Sequence, residues 1–186
     1  MEMGTVDEYD RILEAQRTSL DKISSKILRR GLEYWTSLSA DGKFPSRSDI
    51  SPRPIASILS NTLFIKVLEN GQEFQIMIAG DALRAYYGAW VLHATTADAD
   101  RYMPGFGRLI CKACQSVCES AKPLALKGVV AAAPPAGREF ERSVGYECVY
   151  LPLGSDPTNI DHILAVSDFV TQDVSAAQYQ RLQAVK

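Results

Sequence analysis

Three of the four cysteines, Cys111, Cys114 and Cys118, stand at positions i, i+3 and i+7. On a helix that spacing puts three thiols along one face. Thiolates are ligands for zinc and iron–sulfur clusters, and Cys148 could supply a fourth from elsewhere in the chain. A rigid helix splays its side chains, however, whereas tight metal knuckles use a turn between ligands. Ile110, Ala113 and Val117 share much the same surface, and a buried free cysteine behaves as a small hydrophobe. Structural packing is therefore the preferred reading, no metal is expected, and a thiol-based metal or redox protein is the alternative. His93, with Asp98 and Asp100 nearby, reads as a loop or cap residue, and His162 beside Asp161 as a solvated strand start.

Catalytic motifs do not come forward. Gly80-Asp81-Ala82 follows a strand-like run, but no second and third glycine arrive at dinucleotide spacing. No nucleophile elbow and no zincin motif occurs, so the expectation is a protein that is not an enzyme. The balance of 22 acidic and 20 basic residues leaves no basic stripe, which argues against nucleic acid. No apolar run approaches membrane-spanning length and the N-terminus lacks a signal-peptide h-region. Four cysteines without a disulfide-framework pattern point to a reducing, cytoplasmic setting. A chain of 186 residues with 46% hydrophobic content suits one substantial core.

The elements that would position these residues follow from periodicity. Leu13, Leu20, Ile27 and Tyr34 recur every seven residues with Ile23 between them, predicting a long helix over about residues 6–38. Its first half carries a narrow seam, and Gly31 weakens its end. After Asp41-Gly42-Lys43, Ser51-Pro52 is a helix start, with a short helix ending near Ser60. Arg47 and Asp49 in the preceding turn either fix the loop or face a ligand, turn chemistry being favoured.

Asn70-Gly71 between two apolar runs predicts a hairpin with a type I′ turn. The register places Val67 beside Phe74, Ile65 beside Ile76 and Leu63 beside Ile78, all on one face, with a half-polar opposite face. Gly80, Gly88, Pro104, Gly105 and Gly107 then punctuate a helical crossover, and a helix is expected from about Phe106 to Ser120. Three more strands are predicted over residues 123–131, 139–153 and 162–170, with turns at Pro134-Pro135-Ala136-Gly137 and Gly154-Ser155-Asp156-Pro157. Ser175-Ala176-Ala177-Gln178 resembles a capping box opening a short C-terminal helix.

Tyr34-Trp35, then Pro45-Ser46-Arg47-Ser48-Asp49-Ile50-Ser51-Pro52 and the hairpin, resemble the start of the PAS-like domains common in alphaproteobacteria. The resemblance covers about residues 32–170. It departs at Ser51, where members more often carry aspartate before the proline. It implies an α+β fold: a PAS-like five-stranded antiparallel sheet covered by helices on one face, flanked by a helical extension (residues 1–31) and a helical tail (171–186). It implies a bacterial sensory and interaction module working by binding. Its ligand pocket would lie between sheet and crossover, lined by Ile65, Ile76, Ile78, Tyr86, Tyr87, Trp90, Met103 and Phe106, with Tyr102 nearby, and would suit a small apolar or aromatic ligand. Haem on His93 is disfavoured, and flavin is not supported because the asparagine-cysteine-arginine context of photosensory members is missing.

With few residues left for an output domain, the signal is expected to pass to a separate partner protein or through a homodimer. The dimer interface would be the seam of Leu13, Leu20, Ile23 and Ile27. Fold-back of that seam onto the sheet near Phe64, Leu68 and Met77 is the competing arrangement.

Overall fold

A computed structural model describes residues 11–39, 43–103, 105–132, 140–156 and 159–175. Among them, six strands form one antiparallel sheet in the order β1-β4-β5-β6-β2-β3. The strands are β1 (Arg11–Thr18), β2 (Thr62–Leu68), β3 (Glu73–Ala79), β4 (Leu124–Ala132), β5 (Phe140–Asp156) and β6 (Asn159–Ser175). The helices are α1 (Lys26–Leu38), α2 (Asp81–Tyr87), α3 (Thr96–Tyr102) and α4 (Phe106–Ser120). The last matches the helix expected around the cysteines.

The long N-terminal helix is not formed. Residues 11–18 pair with β4, Leu13 opposite Val130, and a 3-10 turn at Leu20–Lys22 precedes α1. A short polar sequence decides where the helix begins. The Ser25 hydroxyl caps α1, accepting from the amides of Ile27 at 3.2 Å and Leu28 at 3.3 Å. Just before it, the Glu147 carboxylate accepts from the amides of Ser24 and Ser25 at 3.1 and 2.9 Å and from the Ser24 hydroxyl at 2.6 Å. Five strands become six for the same reason: the segment read as helix supplies a sheet edge.

Leu20, Ile23 and Ile27 of the seam lie against the chain's own body. Ile23 is buried, and Leu20 and Ile27 pack against the cluster it joins with Leu28, Trp35, Ile58, Leu151 and Val166. That cluster includes Phe64, one of the three residues named for the fold-back, but not Leu68 or Met77. It covers the second face of the sheet, which was expected to be half polar. Trp35 Nε1 donates to the Pro152 carbonyl at 2.7 Å. Gly31 permits the close approach, because a Cβ there would lie 2.8 Å from Val166 Cγ2.

The first hairpin holds most of its expected register. Glu69 at φ 47°, Asn70 at φ 55° and ψ 40°, and Gly71 at φ 86° are all left-handed, and the Gln72 amide closes the Asn70-Gly71 turn on the Glu69 carbonyl at 3.3 Å. Val67 pairs with Phe74 and Ile65 with Ile76, but the register shifts between Phe64 and Ile65, so that Phe64 faces Ile78 and Leu63 faces Ala79. Met77 is the extra residue of a β-bulge in the edge strand. Beyond it every side chain changes face. Ser51-Pro52 does not start an α-helix; residues 52–55 are turns, and a 3-10 helix follows at Ala56–Asn61. The turn at 134–137 and the C-terminal capping box after Ser175 lie outside the described residues, while β6 itself runs to Ser175, into the stretch expected to be a helical tail.

Candidate functional site

The crossover, α2 to α4, lies over one face of the sheet and closes a cluster that includes Ile65, Ile76, Met103, Phe106, Cys114, Tyr146, Cys148 and Tyr150, all buried. Gly107 sets how closely α4 meets α3, since a Cβ would come within 1.9 Å of the Thr96 carbonyl oxygen. Glu73 of β3 fastens α3 to the sheet: its carboxylate accepts from the Thr96 amide at 2.9 Å and from the Thr96 hydroxyl.

Most of the aromatic residues singled out in the sequence meet here. Tyr87 packs on Phe106 with ring centroids 4.3 Å apart, Trp90 meets Phe106 edge-on at 5.9 Å, and Tyr102 stacks on Trp90 at 5.1 Å. Tyr86 meets Tyr87 edge-on at 5.0 Å and stacks on Phe169 of β6 at 4.5 Å. Such contacts add to the burial of the rings. Phe169 was missed in the sequence, although the alternation of β6 puts it on the face of Ile163 and Ala165. Tyr86 and Phe169, with Asn61, Ala82, Ala85 and Asp168, line an open cleft of about 320 Å³. Ile78 does not belong to this site: the bulge turns it to the other face, where it is 56% exposed.

The buried phenols and thiols are electrically quiet. Burial pushes Cys148 up to about 11 despite hydrogen bonds with Tyr150 and Ser167, and burial with Glu119 nearby pushes Cys118 up to about 11. Burial raises Cys111 and, far more, Cys114. Tyr87, Tyr146 and Tyr150 are raised by the same cause. These groups stay protonated near neutral pH, so the thiols are poor nucleophiles.

Among the described residues, no group of three or more His, Cys, Asp or Glu could hold a metal ion. Cys114 and Cys148 share the core cluster, with Cys111 and Cys118 packed at its margin. His93 is exposed at φ 65°, its amide donating to Ile76 on the outer edge of β3 at 2.8 Å. His162 is buried rather than solvated, 2.8 Å from Asp161 and 5.3 Å from the Phe64 ring.

Residues 23–167 match the family model of the PAS domain. The chain belongs to the PAS domain family. No curated protein and no solved structure matches it. The family match begins at Ile23, so the PAS region takes in α1 and the buried seam residue, while β1 lies ahead of it. Among the described residues of this PAS protein, no helix is long and apolar enough to cross a membrane.

Proposed function

We propose that this chain is a non-enzymatic, cytoplasmic sensory or regulatory PAS protein that binds a small apolar or aromatic ligand on the crossover face and passes the change to a separate partner protein. The observation that carries this reading is the continuous aromatic path from buried Phe106 through Tyr87 and Tyr86 to Phe169 at the wall of an open cleft. A ligand stacking between Tyr86 and Phe169 would alter the seat of α2, and through Tyr87 that of α4. Its effect on a partner can be no larger than its differential affinity for the two packings. Ile65, Ile76, Met103 and Phe106 belong to the buried cluster behind the cleft in this reading, with Trp90 as its reporter.

Solvent extraction of natively purified protein, followed by mass spectrometry, tests it. A stoichiometric small molecule, lost from the Tyr86→Ala and Phe169→Ala variants, is expected. A clean chain whose Trp90 fluorescence also ignores a panel of aromatic fragments would remove the ligand from the proposal, and retention of every partner by both variants would remove the face.

A further inference from the structure

A second cleft opens on the opposite face of the sheet, between the segment leading into β2 and the edge of β3. It measures about 160 Å³, and its walls include Arg47, Ile55, Leu59, Phe64 and Ile78. Ile55 and Phe64 are buried and form the floor, whereas Leu59 and Ile78 are exposed large hydrophobics at the rim. The bulge at Met77 creates this wall, since the unshifted register would send Ile78 to the crossover face.

Arg47 gives the cleft its chemistry. Its guanidinium carbon lies 5.8 Å from the Phe64 ring centroid, a cation held over an apolar floor. Asp49, two residues away, is already committed to the loop: its carboxylate accepts from the Ser46 amide at 2.8 Å and the Ser46 hydroxyl at 2.7 Å. Among the described residues, no carboxylate stands within ion-pair distance of Arg47. The loop thus places an exposed guanidinium beside an apolar hollow, with no carboxylate paired to it. A planar guanidinium of this kind suits a carboxylate.

Size narrows the guest. The volume falls below the roughly 300–1,000 Å³ of drug-sized pockets, and an apolar cavity of about 150 Å³ holds a benzene-sized molecule. We propose that this cleft binds a small apolar monocarboxylate, its hydrocarbon body against Phe64, Ile55 and Ile78 and its carboxylate on Arg47. The site is independent of the crossover face and stands whether or not that face binds a ligand.

Titration of the isotope-labelled full chain with benzoate and with its neutral isostere benzamide, followed by residue-resolved NMR, tests the assignment. Benzoate is expected to give saturable shifts at Arg47, Leu59, Phe64 and Ile78. Benzamide and the Arg47→Gln variant should each weaken binding by about tenfold, the consequence of losing one charge-assisted contact. Ile78→Asp, placed at an exposed position, should repel benzoate while leaving the fold unchanged by circular dichroism. Equal affinity for acid and amide, indifference to both substitutions, absence of saturable binding, or shifts centred on Tyr86 and Phe169 would each overturn the proposal.

Discussion

The two faces of this sheet are built from different materials. The crossover face holds aromatic rings, buried phenols and thiols, joined largely by ring packing. The α1 face is mainly aliphatic and is fixed by directional bonds: Trp35 to Pro152, Ser25 to Asp168, and Glu147 to the chain before α1. Directional bonds fix a helix in one place, whereas stacked rings and soft sulfur can repack at modest cost. The difference makes α1 the more rigidly anchored element and the crossover, apart from the Glu73–Thr96 bonds that fasten α3, the more adaptable one.

The largest expected effect breaks the rigid face. Trp35 is 8% exposed and carries the bond to Pro152. Trp35→Ala should cost about 3–5 kcal/mol, measured by denaturant unfolding. Trp35→Phe, which leaves the Pro152 carbonyl without its donor, should cost about 1–3 kcal/mol. If the alanine variant unfolds at the wild-type midpoint, α1 does not anchor this face.

The hairpin sharpens the comparison, because its bulge sends neighbouring residues to opposite faces. Ile65→Ala and Ile76→Ala should each cost about 2–5 kcal/mol, both side chains being fully buried. Ile78→Ala, at 56% exposure, should stay within about 0.5 kcal/mol. Equal losses at Ile76 and Ile78 would restore the unshifted register and close the second cleft's outer wall.

The hairpin and α4 were legible in the sequence because their signals are local: an Asn-Gly turn, a glycine-marked start and an apolar stripe. What failed was the reading of segments whose conformation is decided by distant partners. Leu13, Leu20 and Ile27 keep a seven-residue spacing, yet β1 exists through its ladder with β4, more than a hundred residues away. Ser24-Ser25 was the local clue that a helix begins there and not earlier. Likewise, Ile163-Leu164-Ala165-Val166 is apolar at consecutive positions and buried throughout, which is how a strand covered on both faces reads. The bulge at Met77 carries no glycine or other local mark, so the placement of Ile78 could not be read. The aromatic cluster was mostly named from the concentration of rings in the crossover and the PAS resemblance, except Phe169, whose partner Tyr86 lies on another element.

The cysteines test the adaptable face at smaller scale. Cys114→Ala and Cys148→Ala each delete one buried sulfur, and each should cost about 1 kcal/mol, with ligand and partner binding kept. Native thiol labelling should reach Cys111 and Cys118 before Cys114 and Cys148, following their burial. Stoichiometric zinc or iron that vanished with these substitutions would make the sulfurs ligands and turn the adaptable face into a metal-braced one.

The smallest effect is a pH dependence confined to the rigid face. Burial alone would raise the Glu147 carboxyl, but the Ser24 hydroxyl, the Ser25 and Ser24 amides and Lys127 at 3.9 Å outweigh it and hold the group below its ordinary range. A carboxyl depressed in the folded state stabilises the fold above its unfolded pKa of about 4.3, and that stability is lost as pH falls through the lower folded value. Glu147→Gln keeps the shape but removes the titration. The stability gap between wild type and this variant should therefore be constant from pH 7 down to about 5 and shrink steadily below about 4.3. Each protein's unfolding curve, measured across that range, gives the gap directly. A gap that stayed constant to pH 3 would mean that Glu147 is not bound more tightly as an anion in the folded chain. The hold on the start of α1 would then rest on the Ser25 cap and its bond to Asp168 of β6, and the rigid face would owe little to charge.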